Sequence, residues 1–349
     1  MREPSQPELP VARVAVDIPL SHLDRPFDYA VTAEQDAEAV PGCRVRVRFA
    51  GRLRDGFIVE RVATADHEGA LTPLHKIVSS EPVLTSEIAR LIRNVADHYA
   101  GTFADVMRLA VPPRHAATER AERARRDQSL PRDHPAGPLL DYPAGAGFLT
   151  ALRDKRSPRA LWQVTPSALP SGDWALGLAT AARACADGER GAVIIVPDQT
   201  DLDRLAEACR HVLGATGFAV LIAEAGLAAR YRAFLSALRG EVRVVIGNRA
   251  AAYAPVHDLG LVALWDDGDD LLAEQRAPYP HAREVLALRA ADAHAGVLFA
   301  SYARTAELQS WLERGWLREI AADRAAVRHA APRVKVAAEV LLLDEGREL

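Results

Sequence analysis

Two stretches of this 349-residue chain carry side chains that could do chemistry. The first is Arg25-Pro26-Phe27-Asp28-Tyr29, where two aromatic residues flank a carboxylate. Aromatic faces can stack on an unpaired base, and a carboxylate can accept hydrogen bonds from a base edge. Nearby, Arg44-Val45-Arg46-Val47-Arg48-Phe49 alternates strictly. On a strand that alternation puts three guanidinium groups on one face, where phosphates could meet them. A structural reading stands beside it: Phe27 and Tyr29 as core residues, and the arginine row as a solvated sheet face.

The second stretch is Asp266-Asp267-Gly268-Asp269-Asp270, which follows the apolar run Leu261–Trp265. Asp266 could hold Mg²⁺ as in a nucleotide hydrolase, with Asp267 in the place of a catalytic glutamate. A phosphate-binding loop should accompany that pair. The loop after Leu161–Thr165 runs Pro166-Ser167-Ala168-Leu169-Pro170-Ser171-Gly172-Asp173-Trp174. Wrapping phosphates with backbone N–H groups needs several glycines, a lysine for the β- and γ-phosphates and a hydroxyl for the metal. Only Gly172 remains; Asp173 stands where the lysine belongs and Trp174 where the hydroxyl belongs. An anion there repels a triphosphate. Nor can a neighbouring lysine substitute, because the chain has only Lys76, Lys155 and Lys335. Gly172, Asp173, Asp266 and Asp267 thus outline a degenerate nucleotide site, and the acidic segment reads better as a solvated loop at a strand end.

No other catalytic group emerges. The eleven histidines are scattered, and His75, His98 and His115 lack partners at metal-ligand spacing. Cys43, Cys185 and Cys209 are too far apart for a CxxC pair, and three unpaired thiols fit a reducing, cytoplasmic setting. No GxSxG elbow holds a serine nucleophile. With 43 Lys+Arg against 47 Asp+Glu the chain is not basic overall, so a nucleic-acid surface has to be local. No apolar run reaches the roughly 18 residues of a membrane span, and the polar, proline-rich start does not read as a signal peptide.

The elements that must position these residues follow from periodicity. Val11–Ile18, Arg44–Phe49 and Gly56–Val59 alternate as strands, the last two joined by a turn at Gly51–Asp55. Ile88, Leu91, Ile92, Val95 and Tyr99 recur at helical spacing, with Thr85 or Ser86 as N-cap. Residues 11–112 form one compositional unit, and 113–150 read as a polar linker. From 113 to 160 ten basic residues face six acidic ones. Beyond it, short apolar runs at Leu161–Thr165, Ala192–Val196, Val242–Ile246, Leu261–Trp265 and Val297–Ala300, with Ala219–Ala223 as a further candidate, alternate with helical patterns. Such runs between helices predict a parallel sheet covered on both faces. After Trp316 the pattern weakens.

The residues also resemble a known family. Val11-Ala12-Arg13-Val14-Ala15-Val16, Arg25-Pro26-Phe27-Asp28-Tyr29, Pro41-Gly42-Cys43-Arg44-Val45-Arg46-Val47, Gly56-Phe57-Ile58-Val59, Ser80-Glu81-Pro82-Val83 and Ala96-Asp97-His98-Tyr99 follow one another as in the PriA family of primosomal replication-restart proteins. There this domain captures the 3′ end of a nascent strand, and Phe27-Asp28-Tyr29 matches its terminal-nucleotide pocket. Gly247-Asn248-Arg249-Ala250 is similar to the family's GTRSA segment, and Asp266-Asp267-Gly268-Asp269 stands where the family has DEEH. The resemblance implies a RecA-like first helicase lobe over 151–349. The family's GVTGSGKT is reduced to Gln163-Val164-Thr165 and Gly172, and its zinc-binding cysteine pairs and second helicase lobe are not in this sequence. It therefore implies ATP, Mg and zinc for the family but no cofactor here.

The expected fold is mixed: a small β-rich DNA-binding domain, then an α/β RecA-like lobe. The expected function is replication-restart binding of branched or forked DNA without unwinding, with Arg25, Phe27, Asp28, Tyr29, Arg44, Arg46, Arg48 and Arg249 on the DNA and other primosome proteins as further partners. Two alternatives stay open: a residual ATP-dependent helicase subunit that needs a missing lobe in trans, and a protein-interaction scaffold.

Overall fold

The computed structural model describes residues 7–66, 68–121, 130–167 and 172–330. Among the described residues the first five strands, β1 (Val11–Val16), β2 (Phe27–Ala30), β3 (Cys43–Phe49), β4 (Arg52–Val62) and β5 (Lys76–Pro82), form one antiparallel sheet in the order β2-β1-β4-β3-β5. The turn between β3 and β4 is tighter than the sequence suggested. Phe49 pairs directly with Arg52, so the loop is Ala50-Gly51, and both residues have positive φ (46° and 77°). That two-residue geometry matches the twist of the flanking strands and favours glycine. Ala12, Val14, Tyr29, Val45, Val47 and Ile58 are buried on one face of this sheet.

Two helices follow, α1 (Ser86–His98) and α2 (Phe103–Ala110). Each starts on a threonine: Thr85 accepts from the Ile88 N–H and Thr102 from the Asp105 N–H, a cap worth about 1 kcal/mol. Their apolar faces, including Ile88, Leu91, Ile92, Val106 and Met107, share one core with Leu161, Leu264 and Phe299 from the second sheet. The helical part of residues 11–112 thus also forms a layer of the lobe. A short helix, α3 (Ala116–Arg120), bridges the two parts. Glu119 accepts from Arg114, from Ser79 Oγ on β5 (2.6 Å) and from the Tyr231 hydroxyl (2.7 Å). Beside it Arg239 donates two hydrogen bonds to Glu81.

The second part contains α4 (Gly145–Arg153), β6 (Arg159–Gln163), α5 (Trp174–Asp187), β7 (Gly191–Ile195), α6 (Gln199–Leu213), β8 (Phe218–Leu221), α7 (Leu227–Leu238), β9 (Val244–Gly247), β10 (Leu259–Trp265), α8 (Ala282–Asp292), β11 (Gly296–Ser301), α9 (Ala306–Glu313), β12 (Arg318–Ala321) and α10 (Arg324–Ala330). Among the described residues its seven strands are all parallel, in the order β12-β6-β11-β10-β7-β9-β8. Period-two alternation splits the strand residues between two cores. Leu161, Ile195, Val245, Leu264 and Phe299 join α1, α2, α7 and α8, whereas Trp162, Ile194, Ile246, Ala263 and Leu298 join α4, α5 and α6.

One expectation needs correction. The segment 113–150 is not all linker, because Leu139, Tyr142, Phe148 and Leu149 are buried in the second core. Beyond Trp316, where the pattern weakens, β12 adds an edge strand through Arg318↔Ala160 to Ala321↔Gln163. Residues 122–129, 168–171 and 331–349, on which parts of the linker, the phosphate-loop comparison and Lys335 fall, lie outside the described residues. Among the described residues no helix is long and apolar enough to cross a membrane.

Candidate nucleic-acid interface

The antiparallel sheet carries a cleft of about 630 Å³, and strand register builds its charged wall. Arg13 on β1 lies directly between Asp28 on β2 and Glu60 on β4. Directly opposed residues share a face, so these three side chains form one cross-strand row. A β-bulge makes this possible. Val14 pairs with Ile58 but Arg13 pairs with Glu60, so Val59 is the extra residue. Without it Ile58 and Glu60, two apart, would point the same way; with it Ile58 enters the core and Glu60 joins Arg13 outside.

Arg13 Nη1 donates to Glu60 (2.9 Å), Nη2 to Asp66 (2.8 Å), and Nε lies 3.7 Å from Asp28 Oδ1. The Asp66 backbone N–H donates to the other Asp28 oxygen at 2.8 Å. The Asp28 carboxylate is only 9% exposed yet lines the cleft. Phe27 meets Phe49 edge to face at 4.8 Å, and the Arg25 guanidinium lies 5.4 Å from the Phe27 ring centre. Arg25, Phe27, Asp28 and Arg48 thus come together around one opening. Its chemistry is an acidic acceptor group, half-buried aromatic surface and two arginines. Such a set suits a base edge or hydroxyl donor with phosphates nearby.

The four other expected residues are placed differently. Tyr29 also borders the cleft, but its ring is 4% exposed within the sheet core and its hydroxyl donates to the Arg48 carbonyl. It offers no free face for stacking, because β2 alternation turns it to the side opposite Asp28. Arg44 leaves the arginine row. Its guanidinium lies 4.6 Å from the Phe57 ring centre and donates to the Pro112 carbonyl at the junction with the lobe. Arg46 stays exposed but is paired with Asp55 at 2.8 Å. Arg249 lies in a separate cleft of about 510 Å³ beside Arg108, Arg230 and Asn248, held by Glu274 (3.0 Å) and the Leu271 carbonyl (2.9 Å).

The carboxyl ends of the parallel strands hold the other expected site. Asp173 caps α5 by accepting from the Leu176 N–H, and Gly172 packs against the Ser167 carbonyl so closely that a Cβ would lie 2.1 Å from it. Trp174 is buried. Asp266 has a positive φ (51°), and burial together with Asp269 pushes its carboxyl up. Asp267 faces inward: one oxygen accepts from Arg283 (3.0 Å) and from Thr305 Oγ1 (2.6 Å), while the other is buried without a partner. Across the crevice, burial and the neighbouring Asp198 and Asp266 raise Asp201 to about 6.

Sequence reasoning missed Arg13, Glu60 and Asp66. Only the strand register and its bulge bring them to Asp28, and no spacing along the chain encodes that.

Residues 13–112 match the family model of the 3′ DNA-binding domain (3′BD) of PriA. The probable replication restart protein PriA of Mycobacterium leprae is 49% identical over 329 residues, covering 93% of this chain and 49% of its own length. That of Mycobacterium tuberculosis is 49% identical over 94% of this chain and 49% of its own. The replication restart protein PriA of Bacillus subtilis is 27% identical over 45% of this chain and 19% of its own length. The chain spans about half the length of the mycobacterial relatives. Among solved structures, the C-terminal domain of S. cerevisiae Dbp5 aligns over 48% of this chain and 89% of its own at 12% identity and a TM-score of 0.34. Sheet, cleft and matched domain define a DNA-binding protein with an α/β lobe behind it. It is a PriA-type protein.

Proposed function

We propose that this chain recognises branched DNA in replication restart, takes a nascent 3′ end into the Asp28 cleft, and does so without unwinding. The observation that carries the reading is the cleft itself, which lies within the matched 3′ DNA-binding domain and joins a shielded carboxylate to Phe27, Arg25 and Arg48. A carboxylate accepts from a terminal hydroxyl or a base amine but repels a terminal phosphate.

The residues at the sheet's carboxyl edge do not fit a magnesium–triphosphate group. The position that should carry a lysine is an aspartate capping its own helix, and the hydroxyl position is a buried indole. The lobe then serves as a platform for DNA or for other primosome proteins, and no step runs through ATP.

The test is fluorescence anisotropy of a labelled fork with a free 3′-OH at the junction, against the same fork phosphorylated at that end. Preference for the free end, lost in Phe27→Ala/Asp28→Ala protein, is expected. Equal binding to both forks would leave a generic DNA binder. No binding at low salt would move the function to a protein scaffold.

A further inference from the structure

We propose that Arg13 is the positioning residue of this cleft: it holds Asp28 and the wall at Asp66 in the arrangement that receives a strand end. The inference rests on the reading of the cleft given above and deepens it.

Four observations support it. Arg13 sits on β1, paired on both sides by β2 and β4, so its backbone is fixed by two ladders. Its guanidinium nitrogens are directed at three different carboxylates, Glu60, Asp66 and Asp28. The Asp66 amide returns to Asp28, which closes a ring of Arg13, Asp66 and Asp28. Finally, the far end of the same wall is tied to β2 by backbone bonds, Ala30 N–H to the Thr72 carbonyl and Leu74 N–H to the Ala30 carbonyl. The near end depends on the ring.

Charge explains why this position needs a guanidinium. Asp28 and Asp66 are in direct contact through one hydrogen bond, and Glu60 stands in the same row. Like charges in such a row repel, and one planar cation with a fork of donors satisfies several carboxylates at once. Because its donors are spent on carboxylates, Arg13 is poorly placed to bind phosphate itself. Arg25 and Arg48, which line the same cleft and have no carboxylate partner among the described residues' ion pairs, are better placed for that. Removing Arg13 should therefore loosen the acceptor and its wall, not reduce general attraction to DNA.

The experiment uses the whole chain and has two arms. In the first, without DNA, hydrogen exchange of the peptide containing the Asp66 amide is followed in wild type, Arg13→Gln, Arg13→Lys and Arg156→Gln. Arg156 is an exposed residue paired with Asp154, and controls for loss of one charge. Exchange should accelerate about tenfold in Arg13→Gln, as expected when one charge-assisted bond that orders a segment is lost, less in Arg13→Lys, and not in Arg156→Gln. In the second arm, the ratio of affinities for the 3′-OH and 3′-phosphate forks should fall about tenfold in Arg13→Gln, recover in part in Arg13→Lys, and leave the salt slope unchanged. Wild-type exchange in Arg13→Gln would overturn the proposal. So would a uniform loss of affinity with a reduced salt slope, which would make Arg13 a phosphate contact. If wild type itself shows no end preference, the proposed function fails, and the exchange arm alone decides on Arg13. Should Arg13→Gln not fold, Arg13→Lys carries both arms, and behaviour identical to wild type would count against the proposal.

Discussion

Trp174 lies face to face with Trp265, ring centres 4.3 Å apart and planes 8° from parallel. The stack joins the first turn of α5 to the last residue of β10. The Tyr302 ring meets Trp265 edge-on at 5.1 Å, and the Arg204 guanidinium lies 5.1 Å from the Trp174 ring centre. Parallel α/β sheets bind ligands in the crevice at their carboxyl ends. Here that crevice is lined with aromatic packing. Trp174→Ala should therefore cost about 3–5 kcal/mol of stability, the usual range for truncating a buried tryptophan, read from denaturant midpoints. Saturating ATP–Mg²⁺ should leave the wild-type melting temperature unmoved, because only a ligand that binds the native state raises it. A clear rise with ATP would sink the nucleotide-free reading.

Asp267 and Arg283 make the opposite kind of contact at the same edge. Both are almost fully buried, at 1% and 8% side-chain exposure. Burial pushes the Asp267 carboxyl up, against the bonds from Thr305 and Arg283. Removing one member leaves an uncompensated buried charge, so Asp267→Ala should cost about 3–5 kcal/mol. If Asp267 were a catalytic acid instead, the same change would abolish a DNA-stimulated ATPase. The expectation is a loss of stability with no hydrolysis present in either protein, measured by urea titration beside a phosphate-release assay.

Two carboxylates should shape the pH profile in opposite ways. Burial, with Asp198 and Asp266 nearby, raises Asp201 to about 6. A raised carboxyl means the folded state binds more protons than the unfolded chain between about pH 4 and 6, so stability falls as pH rises through that window. Asp201→Asn should remove the penalty and stabilise the protein at pH 7 by on the order of 1 kcal/mol after allowance for solvent screening, with little effect at pH 4.

Burial acts on Glu119 in the same direction, but the bonds from Arg114, Ser79 and Tyr231 outweigh it and hold the carboxyl at about 2. Its contribution, on the order of 2 kcal/mol, is complete above the usual carboxylate range and fades as pH falls toward 2. The stability gap between wild type and Glu119→Gln should be flat above pH 5 and close in acid. A gap independent of pH across that range would show that Glu119 does not hold these bonds as a carboxylate.

The α/β lobe was legible because its strands are buried on both faces. Runs such as Val193–Val196 and Leu261–Trp265 are apolar throughout, and no polar edge confuses them. The antiparallel sheet was legible where alternation is strict, as in Cys43–Phe49. Two edge strands, β5 and β12, were not. Lys76–Pro82 holds two serines, a glutamate and a proline, and Arg318–Ala321 begins Arg-Glu; partners across the ladder, not composition, make them strands. Helix α4 was hidden for another reason: its buried Phe148, Leu149 and Leu152 sit in a Gly/Ala-rich stretch that resembles linker. At the cleft, Phe27 and Asp28 stood out by type. The bulge at Val59, which aims Glu60 at Arg13, had no sequence signature. The arginine row was half legible, since alternation gives a face but not what packs on it, and Arg44 was taken by the junction with the lobe.

That division of the arginine row gives the last prediction. Arg44 is largely withdrawn from solvent: burial lowers its guanidinium, and its contacts are Phe57 and the Pro112 carbonyl. Arg48 lies on the same strand but opens to the cleft, with one nitrogen on the Gly51 carbonyl. If both met phosphate, each change to alanine would reduce the dependence of binding on log salt by roughly one unit. The structure separates them. Arg48→Ala should lower the salt slope by about one and weaken fork binding with stability nearly unchanged. Arg44→Ala should leave the slope intact and instead cost about 1–3 kcal/mol, since it strips a ring contact and an acceptor's partner at the junction. The discriminating measurement is fork affinity at several salt concentrations beside a thermal melt for each variant. A reduced slope in Arg44→Ala would mean that the junction opens when DNA binds.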